Sequence, residues 1–510
     1  MSMPRRFWNC TTTAHAPEDD NKWKRTRLPH IQLSIVYLIA TAEPISSTVI
    51  YPFINQFVRE TGITRGDERK TGYYAGVIES VFYVAECATT IAWGRASDRW
   101  GRRPILLAGT LGLALSMFSF GLSSSFWVLL VSRCAQGTFN GNIGVVKNVL
   151  VEITDTTNRA RAFSFYSPVW AGGTTLGPLI GGAFARPALR WPETFGRLQF
   201  FHDYPYFLPC AIAGFFSVFS FIVCLVLLRE TLPSIIARRR IGGKLKPASP
   251  SRDTTSLRAN TNGADYGATN HGIETDDETP LCQETADSPR NSASPPVLSV
   301  LTRPVCMAIA NIGMLAFTDS SYQALVPLMY STSIPLGGLG FNPARIGGIL
   351  GAWGLLNGVI NVMMFPFLMR KYGAWAVYRV GYSSFLISIG SFPLMSLLAK
   401  RSGEFDWPTV AAMVLQLTGS TMSYFSWASI QMFVIDSMPN PHSMATVNAI
   451  AQVTTSLART FGPSFASSLF SLSLEHKLLG GYLVYAILIS VILCGMRLAE
   501  RLPRHLSNKM

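Results

Sequence analysis

The residues of this chain best able to do chemistry are charged or amide side chains set inside strongly apolar runs. Glu43, followed by Pro44, lies near the middle of the run 31–58, and Asp319 near the middle of 303–330. Glu79 and Glu86 stand seven apart within 73–94, which puts them on one helical face. Arg133, Gln136, Gly137, Asn140, Gly141 and Lys147 recur at three-, four- and seven-residue steps within 126–150 and form one helical stripe. Burial disfavours the charged form of a carboxyl group, so a carboxylate inside such a run can exchange a proton when a cavity opens. A guanidinium there costs roughly 2.5–3.5 kcal/mol to insert, which makes Arg133 a candidate functional residue. The alternative for Arg133 is to reach the end of its run, a turn or two away, as is expected of Lys147. Glu79 and Glu86 could instead bond neighbouring helices, and Asp436 sits where a cap at a run's end is expected.

Such residues need apolar helices to hold them, and composition supplies these. Of 510 residues, 48% are hydrophobic and 14% charged, where a soluble domain carries about 25% charged residues. The apolar residues gather into twelve runs near the ~20-residue length that crosses a bilayer as helix. They lie at about 31–58, 73–94, 104–122, 126–150, 161–185, 205–228, 303–330, 345–368, 374–399, 408–434, 443–472 and 479–498. Residues 230–302 are rich in Ser, Thr, Asn, Pro and both charges and cannot bury enough apolar surface to fold alone. The expected organisation is therefore a tail (1–30), a six-helix bundle (31–229), a disordered linker (230–302), a second six-helix bundle (303–500) and a tail (501–510).

The net charge of +14 sits beside apolar runs and not in a basic domain with interleaved aromatics, so nucleic acid is not an expected partner. Lys22 to Arg27, Arg95 to Arg103, Arg238 to Lys244 and Arg370-Lys371 all fall on one side of the predicted spans. By the positive-inside rule that side, with both tails and the linker, is cytoplasmic. The eight cysteines form no CxxC, and the seven histidines fall in tails or loops, so neither a disulfide framework nor a metal site is expected. No G-x4-G-K-[ST] sequence occurs, and with it no nucleotide site or other cofactor is implied. No nucleophile–base arrangement marks an enzyme.

The halves echo one another. Tyr51-Pro52-Phe53 answers Val326-Pro327-Leu328, Asp98-Arg99-Trp100-Gly101 answers Arg370-Lys371-Tyr372-Gly373, and Gly177-Pro178 answers Gly462-Pro463, in one order at a nearly constant offset. The loop Gly94-Arg-Ala-Ser-Asp98-Arg99-Trp-Gly101-Arg102-Arg103 then resembles the signature of major facilitators between spans 2 and 3, with Ala96 where that family prefers Leu. Gly94 and Gly101 read as sites of a tight turn and close helix approach. Asp98 reads as a carboxylate for a helix N-terminus of the other half when the cytoplasmic side is closed, and the arginines as partners for Glu152 or Asp155. Gly173, Gly177, Pro178, Gly181 and Gly182 resemble the family's antiporter motif, whose small residues let two helices pack closely around a bend. Arg133-Cys-Ala-Gln136-Gly137 resembles a motif of proton-coupled members. Glu43-Pro44, Asn140 to Gly144, Glu152 to Asp155 and Asn448 to Gln452 are similar to the fungal and plant branch related to tetracycline exporters and zinc-induced facilitators.

The resemblance implies an all-α membrane protein of major facilitator fold, with twelve transmembrane helices in two six-helix bundles related by pseudo-two-fold symmetry. In that fold spans 1 and 7 border a central cavity, so Glu43 and Asp319, with Arg133, are the expected proton-coupling residues. Gln136, Asn140, Tyr322, Gln323, Asn357, Asn361, Tyr424, Trp427, Asn448 and Gln452 are expected to line the cavity. The implied activity is proton-coupled antiport of a small organic molecule out of the cytoplasm. Inward symport of a nutrient and a non-transporting sensor of the same fold are the alternatives. Protons, a small-molecule substrate and the lipid bilayer are the expected partners of a monomer. Asp277 to Cys282 is similar to an acidic dileucine sorting signal, which leaves plasma membrane and vacuole as candidate locations.

Overall fold

The computed structural model describes residues 28–155, 158–232, 235–236, 301–437 and 444–503. The N-terminal tail, most of the linker and the sorting-like segment 277–282 lie outside the described residues. Among those described there is no strand, and the helices are α1 (His30–Thr48), α2 (Ile54–Glu60), α3 (Thr71–Trp100), α4 (Arg102–Gly121), α5 (Phe126–Asn140), α6 (Ile143–Glu152), α7 (Arg159–Phe184), α8 (Pro187–Arg190), α9 (Gln199–Asp203), α10 (Phe207–Leu227), α11 (Arg303–Ser331), α12 (Pro343–Ser402), α13 (Trp407–Asp436), α14 (Met444–Glu475) and α15 (Leu483–Ala499). By length and composition, the stretches Glu68–Trp100, Arg102–Gly121, Phe207–Leu227 and Pro343–Ser402 are long and apolar enough to cross a membrane. Several remaining helices carry the polar stripes noted above, which lower their hydropathy.

Local chemistry explains where rods start, stop and bend. Asn342 before Pro343 caps α12, its Oδ1 accepting from the Arg345 N–H at 2.9 Å, and Asp406 caps α13 by accepting from the Thr409 N–H and hydroxyl. α1 and α2 follow one another across Pro52, which has no N–H to donate, while the turns around it keep their own hydrogen bonds. α5 and α6 follow one another through Gly141 and Asn142, both right-handed helical. α12 is broken at Gly373 (φ 75°, ψ 165°), which divides it into 343–372 and 374–402. Gly101, its counterpart in the sequence echo, has φ 105° and ψ 163°. Both corners use a backbone region open essentially only to glycine, so the repeat is conformational as well as textual. Gly94 differs from expectation. It lies inside α3, and a side chain there would meet open space, so it is neither a turn nor a close approach.

Burial separates into groups that follow the sequence halves. Residues from Val305 to Leu502 form one apolar cluster. In the first half, one cluster gathers around Phe53, Phe57, Phe120 and Tyr206, and another around Val36, Leu106, Val149 and Leu150. The halves meet chiefly where α3 packs on α14 and α7 on α12. Those contacts sit at one end of the molecule. Ser464 joins the two halves there: its N–H donates to Ser80 Oγ at 3.1 Å and its hydroxyl to the Gly76 carbonyl at 3.0 Å. A side chain on Gly182 would run into Gly347 and the Pro343 carbonyl. Arg59 donates to the Ser331 carbonyl at 2.9 Å, and the Ser333 N–H to Glu68 at 2.9 Å. Toward the opposite, basic end, Asn448 and Gln452 of α14 are exposed.

Candidate functional site

Pro44 interrupts the ladder of α1 beside Glu43, which is 8% exposed. The amide of Asn140, at the end of α5, donates to Glu43 Oε1 at 2.9 Å and to Glu86 Oε2 of α3 at 3.2 Å. One nitrogen thus joins two carboxylates from different helices. Glu43 Oε2 is buried with no hydrogen-bond partner among the described residues, an arrangement that a proton or a cation would satisfy. Lys147 of α6 lies over the Tyr166 ring at 5.9 Å and within electrostatic reach of Glu43 and Glu86.

Arg133 is 1% exposed and does not reach the end of its helix. Its guanidinium donates to Gln136 Oε1 at 2.7 Å and to the Ser47 carbonyl at 3.1 Å, and stacks on Phe82 at 4.3 Å. It joins no ion pair among the described residues. Glu79 is its nearest acidic neighbour electrostatically. Arg133 therefore ties α5 to α1 directly behind Glu43, one turn from Pro44, and does not hold Glu43 itself.

In the second half Asp319 Oδ2 accepts from Gln323 Nε2 at 2.9 Å and from Trp427 Nε1 at 3.2 Å, which links α11 to α13. Glu43 and Asp319, expected as a pair, thus have separate partners in separate halves. Tyr322 packs on Phe385 and Phe392 and its hydroxyl accepts from Gln416, inside the apolar core of its half. Asn361 donates to Asn357 Oδ1 at 2.7 Å on the same helix. Tyr424, Asn448 and Gln452 are exposed, the last two on the part of α14 nearer the basic end.

One residue of this site was missed from sequence. Arg459 of α14 lies with its guanidinium 5.3 Å from the centre of the Trp427 ring and within electrostatic reach of Asp319, Glu86 and Glu43. An intramembrane arginine is a signal in itself, but the Gly, Ser and Thr around it blur the run 443–472 and hide the charge.

At the basic end the loop motif is braced within the first half. Arg102 Nη2 and Nε bond Glu152 Oε1 at 2.8 and 3.0 Å, as expected for that residue, while Nη1 bonds Asp98 at 2.7 Å. Asp98 is 67% exposed and, among the described residues, meets no helix N-terminus of the other half in this conformation. A helix N-terminus within the first half is met by a different carboxylate. Glu230, just after α10, accepts from the Arg102 and Arg103 N–H groups at the start of α4, at 2.8 and 3.1 Å. Thr231 bonds Glu152 at 2.6 Å beside it. A side chain on Gly101 would meet Glu230, so the corner is shaped for that carboxylate. Arg103 also donates to the Leu225 carbonyl.

The glycines of α7 serve two interfaces. Side chains on Gly173, Gly177 and Gly181 would strike Pro44, Thr48 and the Val49 carbonyl of α1, and one on Gly182 would strike α12 of the other half. Pro178 stands between them, where its ring interrupts the ladder. The helix that supports Glu43 and the contact between halves therefore share one element.

Two sets of buried polar side chains, one in each of two helical halves, suit binding and release of a small solute. Comparison with known proteins agrees. The chain is 32% identical to "Major facilitator-type transporter psiT2" of Psilocybe cyanescens, over 94% of this chain and 91% of that one. It is 30% identical to "Major facilitator superfamily multidrug transporter mfsB" of Aspergillus fumigatus, over 90% and 80%. Among solved structures, a D-xylose–proton symporter superposes with a TM-score of 0.64 at 12% identity, covering 93% of this chain and 98% of that one. The Major Facilitator Superfamily profile matches residues 36–463. With that match and this architecture, the chain belongs to the Major Facilitator Superfamily and is a multi-pass integral membrane transporter, not an enzyme.

Proposed function

We propose that this transporter is a proton-coupled antiporter that exports a small organic molecule from the cytoplasm by alternating access. The observation that carries the reading is Glu43, a buried carboxylate in the first helix, joined by Asn140 to Glu86 of α3. Setting aside the short α8 and α9 and counting α1–α2 and α5–α6 as one rod each, and α12 as two, the helices make twelve crossings, with the basic end cytoplasmic by the positive-inside rule. Substrate would enter between the halves from that side. A proton arriving on the carboxylates from the opposite side would favour return of the empty carrier. Relatives described as an efflux pump and a multidrug transporter support the outward direction.

Comparing low-mass compounds in cells and medium, with and without the protein, identifies the exported compound. Its uptake into everted vesicles should then require an acidic interior, collapse with a protonophore, and fail to run uphill for Glu43→Gln. Normal uphill uptake by Glu43→Gln, or uptake indifferent to the protonophore, would overturn the proposal.

A further inference from the structure

α3 and α14 pack on each other across the two halves. Ser464 contacts Ser80 and Gly76 along this seam. From there toward the basic end, Glu86 lies six residues on along α3, about 9 Å, and Arg459 five residues back along α14, about 7–8 Å, at 1.5 Å per residue. The two side chains thus stand at similar depth on the two helices of the seam, within electrostatic reach of each other. Among the described residues Arg459 donates no hydrogen bond and joins no ion pair. It rests on Trp427, whose indole N–H in turn holds Asp319.

We propose that Arg459 is a counter-ion that changes halves: it docks on the Glu86–Glu43 pair when that pair is ionised, drawing α14 onto α3 and closing the cytoplasmic side. When the pair carries a proton the attraction falls, and Arg459 returns to Trp427 and Asp319, as in this structure. This rests on the proton-coupled reading above and adds how proton load becomes movement. The charged and titratable groups facing Arg459 are Tyr83 and Glu86 on α3, Glu43 on α1, Lys147 on α6, Asp319 on α11 and Tyr424 on α13. Lys147 already offsets part of the charge on the Glu86–Glu43 pair, so one arriving proton is enough to tip the balance. A guanidinium suits this task because its planar fork can meet a carboxylate pair and its face can rest on an indole once released.

The test places spin labels on Trp100→Cys and Ala449→Cys, both exposed at the basic ends of α3 and α14, in an otherwise cysteine-free full-length chain that retains transport. Acidification should lengthen the mean label separation, and alkaline conditions shorten it. Arg459→Gln should abolish that response and remove uphill accumulation while leaving downhill exchange. Glu86→Gln reaches the same contact from the other wall and should hold the long separation at every pH, which keeps the test usable if the arginine variant fails to fold. Arg459→Lys should respond over a reduced range. A coupling of ordinary size predicts a loss in accumulation of roughly 5–150-fold. If Arg459→Gln still follows pH as the unsubstituted chain does, the counter-ion role is overturned and proton coupling stands. If the unsubstituted chain shows no pH response at all, the proton-coupled reading falls, and this inference with it.

Discussion

Asp98 and Arg102 sit four residues apart and touch, yet they play unequal parts. Arg102 is 8% exposed and bonded to three side chains, whereas Asp98 is a surface partner. Exposed ion pairs contribute about 0–1 kcal/mol, so Asp98→Asn should leave the melting temperature of the purified protein unchanged. If Asp98 acts only after the cytoplasmic side closes, the same variant should slow transport several-fold at equal abundance. Arg102→Ala should instead cost about 2–4 kcal/mol by stranding Glu152 and loosening the corner at Gly101, visible as a clearly lower melting temperature. Equal melting temperatures for the two variants would reject this division. Glu43, Asp319, Arg133 and the loop motif were legible in sequence because a charge in an apolar run, or a charged run of fixed spacing, stands out locally. Their partners were not. Asn140 between two carboxylates, Glu230 on the start of α4, and Arg459 opposite Glu86 depend on which helices become neighbours, and spacing along one helix does not carry that.

At the scale of elements, α7 links coupling site and rocking contact through adjacent glycines. Gly181 faces α1 within the first half, and Gly182 faces α12 across the halves. Gly181→Val should therefore impair folding, since the Val49 carbonyl it strikes is main chain and cannot turn aside; overpacking of this kind costs about 1–3 kcal/mol or more. Reduced abundance at the membrane would record it. Gly182→Val should fold to near-normal abundance, because the clash can be relieved by moving one half, but it should disfavour the conformation seen here and suppress transport. Similar abundance and similar transport for both variants would contradict the assignment. Helix positions were readable in advance from hydropathy. The two interrupted rods were not, because Pro52 and Gly141 interrupt helices without breaking the apolar run, whereas the break in α12 at Gly373 was, because Arg370 and Lys371 separate its two runs.

The molecule as a whole is held shut at its outer end by Arg59 and Glu68, which bond each other at 2.7 Å and each reach the second half. Tyr73 and Lys70 add contacts to Glu475. An ion pair this exposed contributes little alone, but with two bonds across the seam, at about 1 kcal/mol each, its loss should shift the open–closed balance by roughly 5–30-fold. Arg59→Gln should accordingly widen the distance distribution between labels at Thr61→Cys and Leu478→Cys, while labels at the basic end move closer together. Unaltered distributions at both ends would remove Arg59 from the closure.

Both second-half partners of this closure, the Ser331 carbonyl and the Ser333 N–H, belong to the backbone. A side chain that keeps the local trace can stand at Ser333 without touching the bonds, whereas Ser331 and Thr332 are themselves buried. Shifting the chain by one position cannot be absorbed in the same way. From 331 to 342, Ser333 and Pro335 should thus tolerate substitution while the residue count is held, and Gly337, Gly338, Leu339, Phe341 and the capping Asn342 should not.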